Sequence, residues 1–211
     1  MTDAPSPADV EALFTRSDGR YLFARWGRPV APVVFGVEER TIGVLRGAAE
    51  TMAALTGHPM AETDPELGAN LMAFFLRDWA ELRDVPNLDR LIDGLHPLLD
   101  RLEAGGANQY RVFRFDEAGA IRACFCFARM DEHLSAVPAE TLALNQMVQA
   151  WLLWSDEAFR DASPLALVRG AAVLRPDVAE VMRAAYDPVL PAMSRDPAHA
   201  LRLAARIGRR Q

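Results

Sequence analysis

QYRVFRFDEAGAIRACFCFARM, residues 109 to 130, carries the strongest hairpin signal in this sequence. Two runs of alternating polar and apolar residues flank the turn-forming residues Asp116 to Gly119, and this pattern predicts two antiparallel strands. Cys124 and Cys126 stand two positions apart on the second strand, so both side chains are expected on one face of the sheet. We interpret them as buried structural thiols, because neighbouring positions on one strand are poorly placed for a disulfide.

Helices and strands alternate on both sides of this hairpin, and the fold class follows from their order. We predict an α+β (or α/β) fold, in which a mixed sheet and its packed helices form one domain over residues 9–211, after a disordered leader at residues 1–8. The predicted elements are extended structure at 21–35, a helix at 37–56 capped by Gly57, a buried strand at 68–76, a helix from Asn87 to about 102 that Gly94 and Pro97 bend or divide, a helix from Pro138 to near Asp156, a helix at 175–185 and a last helix to about Ile207.

Composition excludes several classes of protein. The 211 residues are 51% hydrophobic, which is enough for a substantial core, and the net charge is -6, the wrong sign for a protein that neutralises a phosphate backbone. We therefore expect no nucleic-acid partner. All 23 basic residues are arginine, so chemistry that needs a lysine, such as a Schiff base, is excluded.

Targeting signals are missing from the sequence as written. No apolar run reaches the roughly 18 residues of a membrane span, so we expect none. The first residues, MTDAPSP, lack the basic start and apolar core of a signal peptide. The sequence predicts a cytoplasmic protein as written, or a periplasmic one if a leader has been removed.

Residues 145 to 156, NQMVQAWLLWSD, have the spacing of a zinc-protease helix without its chemistry. In the pattern HExxHxxGxxH, histidines bind zinc and the glutamate is the general base. Here Asn145, Gln146 and Gln149 occupy the first ligand, base and second ligand positions, and Ser155 occupies the third ligand position. Neutral amides are poor zinc ligands and cannot accept a proton as a carboxylate does. We therefore predict no catalytic residue, no metal and no cofactor here.

The three amides gather on one side of the predicted helix, opposite its main apolar side. Leu142 and Leu153 lie among them, which favours a cleft or a contact with another segment; an ordinary solvated helix face is the alternative. The predicted binding residues are Asn145, Gln146, Gln149 and Asp156.

Three motifs together carry a family resemblance. The stretch from Asn145 to Asp156 resembles the signature E-E-x-x-Q-x-x-G-L-x-N-D of the proteobacterial domain of unknown function 2927 family, with Gln149, Leu153 and Asp156 matching. RWGRPV at 25–30 resembles its early R-W-x-x-P strand, and YDP at 186–188 its late turn. The resemblance covers about residues 14 to 195. It implies a zincin-like fold, often in exported or lipid-anchored proteins, with no established activity.

The leading hypothesis is a non-catalytic zincin-like domain that serves as a binding or scaffold module for a peptide or small ligand. One alternative is a hydrolase that uses carboxylates such as Asp131, Glu132, Glu140 or Asp156. A third possibility is a structural protein that self-associates, as a homodimer, through Trp154 or the last helix.

Overall fold

The computed structural model describes residues 5 to 207. None of the helices in this range is long and apolar enough to cross a membrane. The elements are, in chain order, α1 (Pro7–Ala12), β1 (Phe23–Ala24), β2 (Pro32–Phe35), α2 (Glu39–Thr56), β3 (Leu71–Leu76), a 3-10 helix (Trp79–Arg83), α3 (Leu88–Leu91), α4 (Leu95–Ala104), β4 (Gln109–Phe115), β5 (Ile121–Arg129), α5 (Glu132–Ser135), α6 (Ala139–Trp151), β6 (Leu165–Val168), β7 (Ala171–Leu174), α7 (Pro176–Ala185), β8 (Met193–Ser194) and α8 (Ala198–Ile207).

A four-stranded sheet in the order β2, β3, β5, β4 forms the centre of the fold. The first three of these strands run parallel, and β4 is antiparallel to β5. All six residues of β3 are buried, because a strand between two parallel neighbours is covered on both faces. Strands β2 and β4 are the edges. This arrangement confirms the predicted α+β class with a mixed sheet.

Alternating side chains of β3 and β5 build two apolar clusters, one on each face of the sheet. Leu71 belongs to the larger cluster, with residues of α2, α6, α7 and α8. Met72, the next residue, belongs to the smaller cluster, with residues of α3, α4 and the 3-10 helix. Cys124 and Cys126 both face the larger cluster as predicted, with their sulfur atoms 3.6 Å apart.

Local signals place several element ends correctly. Gly57 ends α2 with a left-handed φ of 67°, a conformation that glycine adopts without steric cost. The predicted turn joins β4 to β5, where the Asp116 amide donates to the Ala120 carbonyl at 2.9 Å and Gly119 has a φ of 80°. Gly94, with a φ of 72°, separates α3 from α4.

The structure corrects one prediction made from the sequence and adds a hairpin that was not predicted. Residues 6 to 8 belong to the folded chain and not to a disordered leader, because Ser6 and Asp9 form a reciprocal capping box at the start of α1. Residues 1 to 4 of the predicted leader lie outside the described range. The predicted elements also lack β6 and β7, which form a hairpin through the turn residues Arg169 and Gly170, both with positive φ.

The buried polar side chain of Asn70 connects three segments around the start of the sheet. Its oxygen accepts from the Ala31 amide at 2.8 Å, and its nitrogen donates to the Pro29 carbonyl at 2.9 Å and to Asp64 at 3.1 Å. These bonds satisfy a side chain with no solvent exposure and fix the approach of β2 to β3.

His199 packs in the core at the start of α8. It has no solvent exposure, its Nδ1 lies 3.0 Å from the Tyr21 hydroxyl, and its Nε2 is buried without a hydrogen-bond partner. Burial, with a smaller contribution from Arg202, lowers the pKa of His199 to about 4, against a smaller opposing effect of Asp196. The imidazole is therefore neutral in the folded protein at neutral pH.

This depressed pKa predicts a loss of stability in mild acid. Below about pH 6.5 the unfolded chain protonates His199 while the folded chain does not, so the free energy of unfolding falls until the folded pKa is reached. We expect protonation of His199 to lower the free energy of unfolding by roughly 2 kcal/mol between about pH 7.5 and about pH 4.5. Urea denaturation at both pH values, on the wild type and on His199→Gln, measures this. An equal pH dependence in the two proteins would contradict the prediction.

Candidate functional site

The helix that carries the 145 to 156 motif ends earlier than the sequence predicts. Helix α6 stops at Trp151, and Leu152 is extended, with φ of -135° and ψ of 155°. Leu152 bridges to Arg25, and the Leu153 amide donates to the Ala24 carbonyl at 2.9 Å. The prediction of a helix reaching Ser155 or Asp156 is wrong because this backbone pairs with the N-terminal segment.

The three amides of the motif do not share one environment. Gln146 is 1% exposed, donates to Gln109 at 2.5 Å and accepts from Arg111 at 2.9 Å. The partly exposed Gln149 donates to Asn145 at 2.7 Å, and Gln149 lines an open groove. Gln146 therefore connects α6 to the edge strand β4 through hydrogen bonds, while Gln149 faces the groove.

The groove runs along β4, at the edge of the sheet. Beside α6 it has a volume of about 500 Å³, and its wall includes Gln149 and the segment 153–156. Beside α4 it has a volume of about 470 Å³, and its wall includes Leu98 and Arg101. The two halves are continuous because they share the lining residues Arg16, Tyr110, Arg111, Phe113 and Leu153.

Successive side chains of β4 point to opposite walls of this groove. Gln109 and Arg111 contact Gln146 of α6, whereas Tyr110 and Val112 pack against the cluster that contains α4. This period of two is that of a strand.

Three arginines that line the groove form no ion pair, although Arg16 interacts electrostatically at longer range with Asp18 and Asp156. Arg16, Arg101 and Arg111 form no ion pair with any residue of the described range 5–207. The lining contains two carboxylates: Asp93 pairs with Arg114 at 2.7 Å, and Asp156 keeps its negative charge while it accepts from Ser17. Four arginines, Arg16, Arg101, Arg111 and Arg160, outnumber them in the lining. The groove thus has positive character in a protein with a net charge of -6.

Arg111 is the most constrained of these cations. Its Nη2 donates to Gln146, and its Nε is buried without an acceptor. It also lies beside Cys126, where a hydrogen bond from the Cys124 thiol and the charge of Arg111 together lower the pKa of the Cys126 thiol despite its burial. Arg111 was not among the binding residues predicted from the sequence. Its place between Gln109 and Phe113 on the inward face of β4 was the signal available in the sequence.

Asp156 is the predicted site carboxylate that lines the groove. The Ser17 hydroxyl donates to it at 2.5 Å and the Ser17 amide at 3.1 Å, which holds the pKa of Asp156 below its ordinary value. A carboxylate stabilised in this way is a weak base. It is suited to orienting a hydrogen-bond donor and poorly suited to taking a proton.

The other carboxylates considered for hydrolysis do not join Asp156 in the groove lining. Asp131 caps α5, where hydrogen bonds from the Leu134 amide and the Asn108 side chain lower the pKa of its carboxyl group. Glu132 and Glu140 lie in the first turns of α5 and α6. A general acid would need a raised pKa, which neither Asp131 nor Asp156 has.

Metal-binding side chains are dispersed over the described chain. Between residues 5 and 207, no three His, Cys, Asp or Glu side chains are grouped so that they could hold a metal ion. His58 contacts the Arg28 carbonyl at 2.8 Å, while His199 contacts Tyr21.

The three motifs that carry the family resemblance meet at the end of α6. The Trp26 indole donates to the Ala150 carbonyl at 3.0 Å, and the Tyr186 hydroxyl donates to the Trp151 carbonyl at 2.7 Å. Tyr186 also accepts from the Trp26 amide at 3.4 Å, and the Arg25 guanidinium lies 5.4 Å from its ring centroid. These motif residues thus pack and form hydrogen bonds inside the protein, so much of the motif pattern is explained by stability of the fold.

Trp154 and part of α8, the elements considered for self-association, are buried within the chain. Trp154 is 8% exposed, stacks on Phe14 with ring centroids 5.3 Å apart and donates to the Val148 carbonyl at 2.9 Å. Leu203 and Ile207 of α8 are likewise buried. Trp154, Leu203 and Ile207 are therefore not available to a second copy, whereas Leu201 on the outer side of α8 is exposed, and the homodimer stays a prediction.

The fold and the groove together define an α+β protein with an open, cationic groove on an edge strand. Comparison with known protein families, with curated proteins and with solved structures finds no match to this chain.

Proposed function

We propose that this protein is a non-catalytic binding module, with a zincin-like helix that lacks zinc ligands, and that a peptide or small ligand occupies the groove beside β4. The observation that carries the proposal is the position of Gln149 and Asp156 on the wall of that groove, next to an edge strand. Asn145 holds Gln149 in place, and Gln146 holds Arg111.

The chemistry of the lining supports binding rather than hydrolysis. Amide and guanidinium groups donate hydrogen bonds to a ligand, and neither group takes a proton at neutral pH. The one predicted carboxylate, Asp156, is held by Ser17. An edge strand adds a row of backbone N–H and C=O groups that a ligand can pair with.

A screen of small polar fragments by protein-observed NMR tests this proposal. We expect chemical-shift changes at Gln109, Gln149 and Asp156, because these residues line the groove. Gln149→Leu should weaken the best fragment about fivefold to tenfold, the effect of losing about one hydrogen bond to the ligand. Thr141→Val on the same helix, outside the groove lining, is the matched control and should leave the affinity unchanged.

Metal analysis of the purified protein tests the proposed lack of a zinc site. Zinc that remains at one equivalent after dialysis, and is lost on substitution of Asn145 or Gln149, would overturn the non-catalytic assignment. Fragments that shift only residues outside the groove would overturn the proposed site.

A further inference from the structure

The unpaired arginines of the groove indicate the chemistry of its ligand. Arg111 is partly buried without a carboxylate partner, although a charge removed from water is normally paired. Arg16 is also partly buried, and its side chain makes no hydrogen bond within the described residues. Arg16 and Arg111 each line the two halves of the groove. An anionic ligand would supply a direct ion-pair partner, which Arg111 lacks and which Arg16 has only at longer range in Asp18 and Asp156.

The shape of the site favours an extended chain over a small anion. Strand β4 has seven residues, so its free edge is about 23 Å long. Free backbone donors and acceptors alternate along such an edge, and only another strand satisfies both kinds in register. A free phosphate would meet the guanidinium groups but leave this edge unused.

The two walls impose a period of two on such a strand. The wall toward α6 carries Arg111 and Gln149 together with Asp156. The wall toward α4 is apolar at Ile92, Leu98 and Val112 and also carries Asp93 and Arg101. Because successive side chains of a strand point to opposite sides, acidic residues of the ligand would face α6 at alternate positions. Apolar residues would face α4 at the positions between.

We propose that the ligand is an acidic peptide segment that adds to β4 as a strand, with alternate carboxylates bound by Arg16 and Arg111. This rests on the proposed function and specifies its ligand class. A second copy pairing through its own β4 is disfavoured, since β4, QYRVFRF, contains no carboxylate that could pair with Arg111.

Fluorescence anisotropy with three labelled heptapeptides tests the proposal. The peptide EVEVEVE has alternating acids, QVQVQVQ is its neutral isostere, and EEEEVVV has the same composition without the alternation. We expect EVEVEVE to bind at least about tenfold more tightly than either of the others, and to weaken as salt is raised. Methylation of the alternate backbone nitrogens that face β4 should abolish its binding, because those amides then cannot donate.

Substitutions locate the bound carboxylates. Arg16→Gln and Arg111→Gln should each weaken EVEVEVE about fivefold to tenfold and leave QVQVQVQ unaffected. Arg40→Gln, at an exposed position of α2 without an ion pair, makes the same charge change away from the groove and should have no effect. If Arg111→Gln unfolds through loss of its bond to Gln146, Arg16→Gln still gives the answer, since Arg16 makes no such bond.

Each result has a distinct meaning. Equal binding of EVEVEVE and QVQVQVQ, with both weakened by Gln149→Leu, overturns the acidic ligand and leaves the proposed function standing. Full binding of the methylated peptide overturns strand addition. If no peptide binds and no fragment shifts the groove residues, the inference and the proposed function both fail.

Discussion

Gly36→Ala is expected to destabilise the protein by about 3 kcal/mol or more. Gly36 follows β2 with a φ of 80°, in the left-handed region that L side chains rarely adopt. A Cβ atom there would lie 1.9 Å from the carbonyl oxygen of Phe75 in β3. That oxygen belongs to the backbone of a fully buried strand, so relief of the clash requires β2 and β3 to separate locally.

Two glycines of α2 provide control positions, at which substitution by alanine should raise the stability instead of lowering it. Gly43 and Gly47 lie in the helix interior, and a Cβ at either position would meet nothing within 4 Å. Alanine at either position should stabilise the protein by about 0.5 to 1 kcal/mol, because glycine loses more backbone entropy on helix formation. Urea denaturation measures all three variants. A Gly36→Ala protein as stable as wild type would show that the close approach of β2 to β3 is wrong.

Trp26→Ala is expected to lower the free energy of unfolding by about 3 to 5 kcal/mol. Trp26 has no solvent exposure, and its indole donates to the Ala150 carbonyl in the last turn of α6. Truncation removes the apolar contacts of a large ring, leaves a cavity and takes away the hydrogen bond to α6. The effect should appear as a lower denaturant midpoint with an unchanged slope.

Two further variants separate packing from hydrogen bonding at this junction. Tyr186→Phe keeps the ring and removes the hydroxyl that bonds to Trp151, so we expect a loss of about 1 to 3 kcal/mol. Leu201→Ala, at a residue that is 58% exposed on α8, should change stability by less than about 0.5 kcal/mol. If Trp26→Ala cost no more than Leu201→Ala, Trp26 could not be a core residue.

Elements with strong local signals were predictable from the sequence. The turn at Asp116 to Gly119, the apolar run of β3 and the glycine that ends α2 each act through their own backbone or immediate neighbours. Their positions therefore follow from short-range steric and hydrophobic effects, which the sequence records directly.

The candidate site was only partly predictable. Periodicity placed Asn145, Gln146 and Gln149 on one side of α6, but it could not say that Gln146 is buried beneath β4 while Gln149 faces the groove. Periodicity also could not predict that α6 ends at Trp151, because that end depends on pairing with residues 24 and 25, more than a hundred positions away.

The sequence by itself determined the α+β class, most element positions and the lack of zinc-binding side chains in the 145 to 156 motif, because these depend on residue type and short-range spacing. The tertiary structure decided which strand became the free edge, which arginines lacked partners and how α4, β4 and the segment after α6 enclose a groove. These features arise where distant segments meet, and the contacts and charge pairs made there have no counterpart in local sequence.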